Sequence, residues 1–331
     1  MVKRVAIVGT YMWTPRIAES LKKYTGVVCT PVSEVKPRDA LRLLGVLGAD
    51  VTMRIGFRPG QVRPRGIVLD LVCLFYILAG GKLVFYWTGS DVPRTIQSLA
   101  DRSLVSRLWS LPVTRLLLRK SEHCVAAPWL VNELESMGCT AENFPVPTPT
   151  EGFESASELS LGSWPDQFTV LSYVPDHNYQ NYCGDEIVEL ATRMPHVRFR
   201  VMGGDGDWCK KKPDNLEFLG WTDALEEYRR CVVLLRAVRH DALGGTVREA
   251  LLCGRYVLYT YPHECAELLP DPDVYTSFVA VTEERLMELL ELYQAGQLRV
   301  NKQGYEWVRA NLSEKVLAIN LANRWFETRH E

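Results

Sequence analysis

Short apolar runs alternate with longer mixed segments along the first 150 residues of the chain. The pattern predicts strands at 5–8, 27–29, 51–55, 83–86 and 123–126. Between them, apolar residues recur at helical spacing, which predicts helices at 15–23, 39–47, 67–78 and 104–120. Because strands that alternate with helices form parallel sheets covered by helices on both faces, this half is predicted to be an α/β domain.

The same alternation resumes in the second half of the chain. Strands are predicted at 169–173, 198–202, 216–219, 232–235 and 256–261, with a weaker one at 277–279, and helices at 283–295 and 313–328, the last capped by Ser313. Residues 145–158 are rich in Pro, Ser and Glu, which is typical of a linker. We therefore expect a first domain over 1–148, a linker over 149–165 and a second domain over 166–312.

The segment that follows the strand at 232–235 carries the clearest chemical signal. It runs from Arg236 through Asp241 to the glycine pair Gly244 and Gly245, which opens a helix that contains Glu249. Backbone N–H groups at a helix N-terminus favour a phosphate, and glycine lets that phosphate approach closely. The two carboxylates can hydrogen-bond sugar hydroxyls beside it. The segment therefore predicts a nucleotide-sugar site.

Each of these residues also has a structural interpretation. Thr246 and Glu249 have the spacing of a capping box, in which the glutamate bonds back to the start of the helix. Asp241 suits a turn, and the glycine pair is explained equally by turn geometry. Arg236, at the end of an apolar strand, needs a partner, which is either a diphosphate or Asp241.

The arrangement resembles the C-terminal domain of GT-B glycosyltransferases, most closely the retaining family 4, whose hallmark is two acids separated by seven residues. Here those acids are Asp241 and Glu249. Other segments similar to the family are the strand-glycine turn at 201–204, the strand-glycine-aromatic element at 215–223 and the segment 86–92. Two features depart from it: the first acid is Asp instead of Glu, and the Arg and Lys that often follow the first strand of the second domain are missing. Arg236 or Arg239 is expected to replace them.

The resemblance implies two doubly wound Rossmann-like domains that face each other across a cleft, with residues 313–331 packing back onto the first. It implies metal-independent, retaining transfer of a sugar from a UDP- or GDP-linked donor to the hydroxyl of a glycolipid, polysaccharide or similar acceptor, without a cofactor. Arg236 would stabilise the leaving diphosphate, Asp241 would hold the sugar, and Asp91 would position the acceptor, unless Asp91 only caps a helix. The expected donor-binding residues are Gly9, Thr10, Gly203, Gly204, Trp221, His240, Gly244, Gly245, Thr246 and Glu249.

Charge is divided unevenly between the two halves. Residues 1–150 contain 19 basic and 11 acidic residues, a net of +8, and the remainder has a net of −10. The basic half suits an anionic partner, either a lipid surface or nucleic acid. Residues 102–120 mix five cations with leucines and Trp109, as interfacial helices do, although Pro112 predicts a break into two short core helices. Residues 36–65 have few aromatic residues among their cations, which argues against a single-strand nucleic-acid binder.

Composition and short sequence patterns predict the cellular location and exclude some classes of protein. Nine scattered cysteines and no signal peptide predict a cytoplasmic protein, peripheral to the inner face of a membrane if it binds lipid. The apolar run at 66–81 is shorter than the roughly 20 residues of a membrane span and contains Asp70, so it predicts a buried helix. The absence of GxGxxG after Gly9 argues against a nicotinamide dehydrogenase. A glycosyltransferase of DNA bases, a nucleotide-sugar epimerase and a non-catalytic sugar-nucleotide binding protein remain open.

Overall fold

The computed structural model describes residues 3–9, 13–33, 45–56, 59–60, 64–101, 103–150, 152–153 and 164–326. Contacts divide the chain into two compact units: unit 1 is Met1–Pro149 with Ser313–Glu331, and unit 2 is Thr150–Leu312. Each unit contains a six-stranded sheet in its described part, and the paired strands are parallel in both. The predicted α/β class with parallel sheets is confirmed.

The strands lie close to the apolar runs of the sequence, because strands covered on both faces are apolar almost throughout. Unit 1 has the strand order β2-β1-β3-β4-β5-β6, and unit 2 has the order β12-β11-β10-β7-β8-β9. The strands are β1 (Arg4–Gly9), β2 (Val28–Ser33), β3 (Val51–Ile55), β4 (Lys82–Trp87), β5 (Glu122–Val125), β6 (Glu142–Asn143), β7 (Thr169–Tyr173), β8 (Arg198–Met202), β9 (Leu216–Phe218), β10 (Val233–Arg236), β11 (Tyr256–Tyr259) and β12 (Glu267–Leu268).

Helices connect most of these strands. They are α1 (Trp13–Thr25), α2 (Pro64–Leu78), α3 (Asp91–Ala100), α4 (Leu111–Lys120), α5 (Trp129–Glu135), α6 (Gly184–Arg193), α7 (Ala224–Arg229), α8 (Gly245–Leu252), α9 (Tyr275–Gln294), α10 (Lys302–Asn311) and α11 (Glu314–Phe326). A π-helical turn, Ser106–Ser110, leads directly into α4. The long hydrogen bond from the Val316 N–H to the Ser313 hydroxyl, 3.5 Å, lies at the start of α11.

The last helix belongs to unit 1, where it packs on α1. Leu321 and Trp325 of α11 share an apolar cluster with Ile17 and Leu21 of α1 and with residues of the sheet. Glu314 fixes the start of the helix, because its carboxylate accepts a hydrogen bond of 2.7 Å from the Ser20 hydroxyl. Residues distant in sequence thus complete the core of unit 1.

Three sequence expectations about individual elements are wrong. Residues 277–279 belong to α9, since Phe278, Thr282 and Leu286 are buried at helical spacing that outweighs the β-branched residues nearby. Pro112 does not interrupt the helical path, because it lies in the first turn of α4, directly after the π turn, where a proline is tolerated. Helix α2 is not buried throughout: Phe75 and Leu78 are largely exposed.

Some predictions fall on residues that the structure does not describe. The expected helix at 39–47 is described only from residue 45, and most of the expected linker, 151 and 154–163, is also outside the described part. Among described residues, no helix is both long and apolar enough to cross a membrane. The nine cysteines are unpaired thiols.

Candidate functional site

The strand order of unit 2 reverses between β7 and β10, and parallel α/β sheets bind ligands at the carboxyl ends of strands next to such a reversal. β7 ends at Tyr173 and β10 ends at Arg236. The Arg236 guanidinium lies over two rings, 4.8 Å from the centre of Tyr182 and 5.8 Å from that of Tyr173. A buried cation with an aromatic wall therefore lies at the expected edge of the sheet.

Asp241 is the ionic partner of Arg236. The two Nη2 contacts to the carboxylate are both 2.9 Å, and Nε donates at 3.1 Å. The Tyr259 hydroxyl donates a further hydrogen bond of 2.9 Å to the same carboxylate. Of the two partners that the sequence left open for Arg236, the structure contains Asp241.

Burial and neighbouring charges both shift the pKa values of this cluster. Burial lowers the pKa of the Arg236 guanidinium, but Asp241, Tyr182 and Tyr259 more than reverse that effect, so the pKa is raised overall. Burial, followed by the negative charge of Asp241, raises the pKa of Tyr259 well above its usual value. Arg236 is thus a permanent cation, and Tyr259 a permanent hydrogen-bond donor.

The glycine pair opens α8 as the sequence suggests. Gly244 is the N-cap residue, and a Cβ atom placed there would lie only 3.0–3.2 Å from three atoms of the Arg236 guanidinium. A side chain at position 244 would therefore displace the guanidinium slightly from its place beside the α8 N-terminus, whereas glycine lets the backbone pass close to the cation. A Cβ atom at Gly245 would make only an ordinary contact of 3.5 Å with Glu249.

The capping-box interpretation of Thr246 and Glu249 is wrong. The N-cap position belongs to Gly244, which leaves Thr246 inside the first turn, and no side chain caps the helix. The Thr246 hydroxyl is buried without a hydrogen-bond partner in the described part of the chain. A buried hydroxyl without a partner is costly, and at a helix N-terminus it is suited to an anionic ligand.

Glu249 lies one turn further along α8. Its Oε2 atom accepts a hydrogen bond of 3.1 Å from the hydroxyl of Tyr228, a fully buried residue at the end of α7. Burial, together with the adjacent Glu249 charge, raises the pKa of Tyr228 well above its usual value. The tyrosine therefore stays protonated and holds the glutamate in one orientation.

Glycines shape the turn after β8. Gly203 has a φ of +100°, and a Cβ atom there would lie 2.6 Å from the ring of Tyr173. A Cβ atom at Gly204 would lie 2.5 Å from the Asp176 carboxylate. Trp221 follows β9 and is 77% exposed, with its ring edge-on to Tyr173 at 6.3 Å. These two glycines and Trp221 therefore gather around the end of β7.

His240 and Arg239 are held by neighbouring residues. The side chain of Asn181 accepts from the His240 N–H at 3.1 Å and donates to its carbonyl at 3.1 Å. Arg239 binds the carboxylates of Glu186 and Asp273. Both arginines are paired with acids, but the Arg236 guanidinium also lies beside Gly244 at the N-terminus of α8, so Arg236 is the better substitute for the cations that the resemblance leads one to expect.

Three of the predicted site residues, Gly9, Thr10 and Asp91, belong to unit 1. A Cβ atom at Gly9, which has a φ of +150°, would lie 2.1 Å from the carbonyl oxygen of Ile55, so close strand packing explains this glycine. Thr10 lies outside the described residues. Asp91 is the first residue of α3, and its carboxylate accepts the Thr88 N–H at 3.0 Å. Burial raises the pKa of Asp91 to about 6.

Sequence reasoning missed the groups that surround Arg236. Tyr173, Tyr182 and Tyr259 come from three different segments, and each is adjacent to Arg236 or Asp241 only through the strand order of the sheet. Asp176 was also missed: its carboxylate accepts the N–H groups of Asp205 at 2.8 Å and Gly206 at 3.0 Å. Its position soon after β7, the first strand of the second domain, is a signal that could have identified it.

The described residues contain no group of three or more His, Cys, Asp or Glu side chains arranged to hold a metal ion. Beside the Asp241 carboxylate, which is paired with Arg236, the polar groups at the end of β10 are a guanidinium, hydroxyls and backbone N–H groups of a helix. Such groups bind anions.

Comparison with known proteins identifies the fold. No family model matches the chain, and no curated protein matches it. Among solved structures it is similar to sucrose-phosphate synthase from Thermosynechococcus elongatus, at 13% identity over 98% of both chains with a TM-score of 0.65. It is also similar to Anabaena HepE in complex with UDP-glucose, at 10% identity over 97% of this chain and 98% of that one, with a TM-score of 0.63. A glycosyltransferase from Rickettsia africae, at 10% identity and 98% coverage of both chains, has a TM-score of 0.61. At such identities the likeness establishes the fold, and the chain has the GT-B fold of these proteins.

Proposed function

We propose that this protein is a glycosyltransferase that transfers a hexose from a nucleoside diphosphate sugar to an acceptor hydroxyl. The observation that carries the proposal is the close approach of Gly244, at the N-terminus of α8, to the buried cation Arg236. A helix N-terminus and a guanidinium together provide N–H donors and positive charge for a diphosphate. The fold supports the proposal, and the HepE structure, a complex with UDP-glucose, makes UDP-hexoses the first donors to test.

In the proposed reaction the bond between the anomeric carbon and the diphosphate oxygen breaks while the acceptor oxygen bonds to the same face of that carbon. The acceptor proton passes to the leaving phosphate, which corresponds to a retaining, metal-independent transfer. Arg236 and the α8 N-terminus are oriented before the reaction toward the charge that develops, so they stabilise the transition state more than the ground state.

The acidic residues have separate tasks in this proposal. Asp241 is occupied by Arg236 and Tyr259, so we assign it the positioning of the guanidinium, with any sugar contact secondary. Glu249, oriented by Tyr228, accepts the ribose hydroxyls. The exposed Trp221 and the half-buried Tyr173 provide aromatic surface for the base, and Gly203 and Gly204 let the donor approach the end of β7. His240 contributes through the backbone that Asn181 holds.

Thermal denaturation with a panel of UDP- and GDP-linked sugars tests the proposal. A ligand at 100 times its Kd stabilises the folded state by about 2.7 kcal/mol, which is easily measured. Gly244→Ala adds a methyl group against Arg236 and is expected to abolish the shift given by the best donor. Gly48→Ala is the matched control, because a Cβ atom there would have no neighbour within 4 Å.

Product analysis with the stabilising donor separates the alternatives. Transfer or slow hydrolysis that releases the nucleoside diphosphate supports a glycosyltransferase, and failure of all donors to stabilise the protein contradicts the proposed site. Conversion of the donor to its epimer without an acceptor would identify an epimerase. Stabilisation without any turnover would identify a sugar-nucleotide binding protein.

A further inference from the structure

The outward side of helix α2 is apolar along its whole length. Residues 64, 68, 71, 75 and 78 are exposed at helical spacing, and all five are apolar. Phe75 is 61% exposed and Leu78 is 78% exposed. A surface helix normally has polar residues on this side, so this helix face is suited to an apolar partner.

A second apolar surface lies on the next helical segment along the chain. Leu104 and Leu108, in the helical turns that lead into α4, are 71% and 74% exposed. Contacts join α2 to α4, and α3 to both α4 and the π turn. The connections β3–α2–β4 and β4–α3–α4–β5 move the same way across the sheet, so right-handed crossovers place these helices on the same face. We call the exposed surface of α2, α3, α4 and the π turn the apolar-basic face.

The charges on this face are nearly all positive. Residues 102–121 contain five basic residues and no acidic one. The acidic residues of α2 and α3, Asp70 and Asp91, are both buried. Five exposed cations have no carboxylate partner among the described residues: Arg94, Arg107, Arg115, Arg119 and Lys120.

We propose that the apolar-basic face of unit 1 docks on an anionic lipid surface. Apolar side chains beside unpaired cations are the two components of interfacial membrane binding: the first enter the headgroup and acyl boundary, and the second attract anionic lipids. This inference does not rest on the proposed function, because none of its residues belongs to the nucleotide-sugar site.

Two other partners fit the face less well. A two-fold dimer would place the same patch of each copy opposite the other and bring the unpaired cations of both copies together. Nucleic acid would satisfy the cations and could use Phe75, but it would leave the exposed Leu78, Leu104 and Leu108 without a role, since single-strand binders stack bases on aromatic side chains. An anionic membrane accommodates both components at once.

Vesicle flotation with the full chain tests the proposal. The probes are vesicles of phosphatidylcholine alone and of phosphatidylcholine with about one third phosphatidylglycerol, each at low and high salt. The protein is expected to float with the anionic vesicles at low salt and much less with the neutral ones. Arg115→Gln with Arg119→Gln should weaken partitioning roughly 30-fold, and Phe75→Gln with Leu78→Gln by at least about tenfold.

Matched variants on unit 2 provide the controls. Leu292→Gln removes an exposed apolar side chain, and Lys210→Gln with Lys211→Gln removes two exposed cations, so neither should change flotation. Urea denaturation of each variant checks that these surface changes leave the fold intact. The proposal is overturned by absence of anionic-vesicle binding, or by binding that the face variants leave unchanged. A dimer that dissociates in Phe75→Gln, or DNA binding in place of vesicle binding, would also overturn it.

Discussion

At the scale of single residues, the polar cluster at the end of β10 is a buried ion pair completed by one hydroxyl. The Asp241 carboxylate accepts hydrogen bonds from Arg236 on both oxygens and from Tyr259 on one. The free-energy cost of removing a buried ion pair from water is offset only when such additional hydrogen bonds are made. Tyr259 is therefore part of what holds the guanidinium in place.

Tyr259→Phe tests that role. Loss of the hydroxyl should cost about 1 kcal/mol of unfolding free energy and weaken donor binding severalfold, because Arg236 loses orientation. Tyr261→Phe is the matched control: its hydroxyl donates at 2.8 Å to the carbonyl of Arg239, so it should cost a similar free energy without affecting the donor. Equal donor affinity in the two variants, by calorimetry, would refute the role of Tyr259.

Asp91 introduces a pH dependence of stability. Its pKa is raised by burial to about 6 in the folded protein, from 3.8. Between about pH 4 and 6 the unfolded chain loses this proton while the folded chain keeps it. The free energy of unfolding therefore falls as the pH rises, and at pH 7 it is about 3 kcal/mol lower than it would be without the shift. Asp91→Asn should lack this slope. Urea denaturation of both proteins at pH 4.5 and 7.5 measures the difference, and parallel pH profiles would contradict the expectation.

At the scale of elements, helix α2 is fixed to the sheet by a buried charge. Asp70 of α2 lies 2.6 Å from the Arg54 guanidinium of β3, and both side chains are fully buried. Asp70 also accepts the Gly60 N–H at 2.8 Å. Burial raises the pKa of Asp70, and the Arg54 charge opposes that rise. The acid that interrupts the apolar sequence of α2 thus belongs to the interior of unit 1.

Removing one partner of this buried ion pair should lower the free energy of unfolding far more than removing one partner of an exposed ion pair. Asp70→Asn removes a fully buried carboxylate from beside the buried Arg54 guanidinium, and we expect a loss of about 3–5 kcal/mol. Arg54→Met combined with Asp70→Leu should recover most of it. In the control, Glu306→Gln removes the exposed partner of Lys302 and should cost under about 0.5 kcal/mol. Equilibrium urea denaturation compares all three; a small effect of Asp70→Asn would argue against the pair.

The elements also show which features the sequence predicts and which it does not. Strands such as β1 and β4 were predictable because strands buried on both faces are apolar at nearly every position. Arg236 and Asp241 are close in sequence, so Asp241 was one of the two partners that the sequence offered for Arg236, and the hydrogen bonds between them are seen only in the structure. Tyr173 and Tyr182 were not predictable from the sequence, since they reach Arg236 only because β7 pairs with β10. The helix at 275–294 was missed in part because its first residues include β-branched and aromatic types that also favour strands.

At the scale of the whole molecule, the chain completes unit 1 with residues that follow unit 2. Ala318, Leu321, Ala322 and Trp325 of α11 join the cluster that covers β1 and β3. Amphipathicity of the last helix was visible in the sequence, but periodicity does not specify which sheet a helix covers. The expectation that it packs on the first domain came from the resemblance to GT-B proteins, and the contacts with α1 are what place it in unit 1.

Leu321→Ala probes the contribution of this returning helix. Leu321 is fully buried against α1, so truncation should cost about 2–5 kcal/mol through lost transfer free energy and the cavity that remains. Hydrogen exchange should show the loss in the amides of β1 and α1, which share the cluster. Asn323→Ala, a change at an exposed residue two positions further along the same helix, should alter stability by less than about 0.5 kcal/mol. Unchanged protection of β1 and α1 in Leu321→Ala would mean that the core of unit 1 is stable without α11.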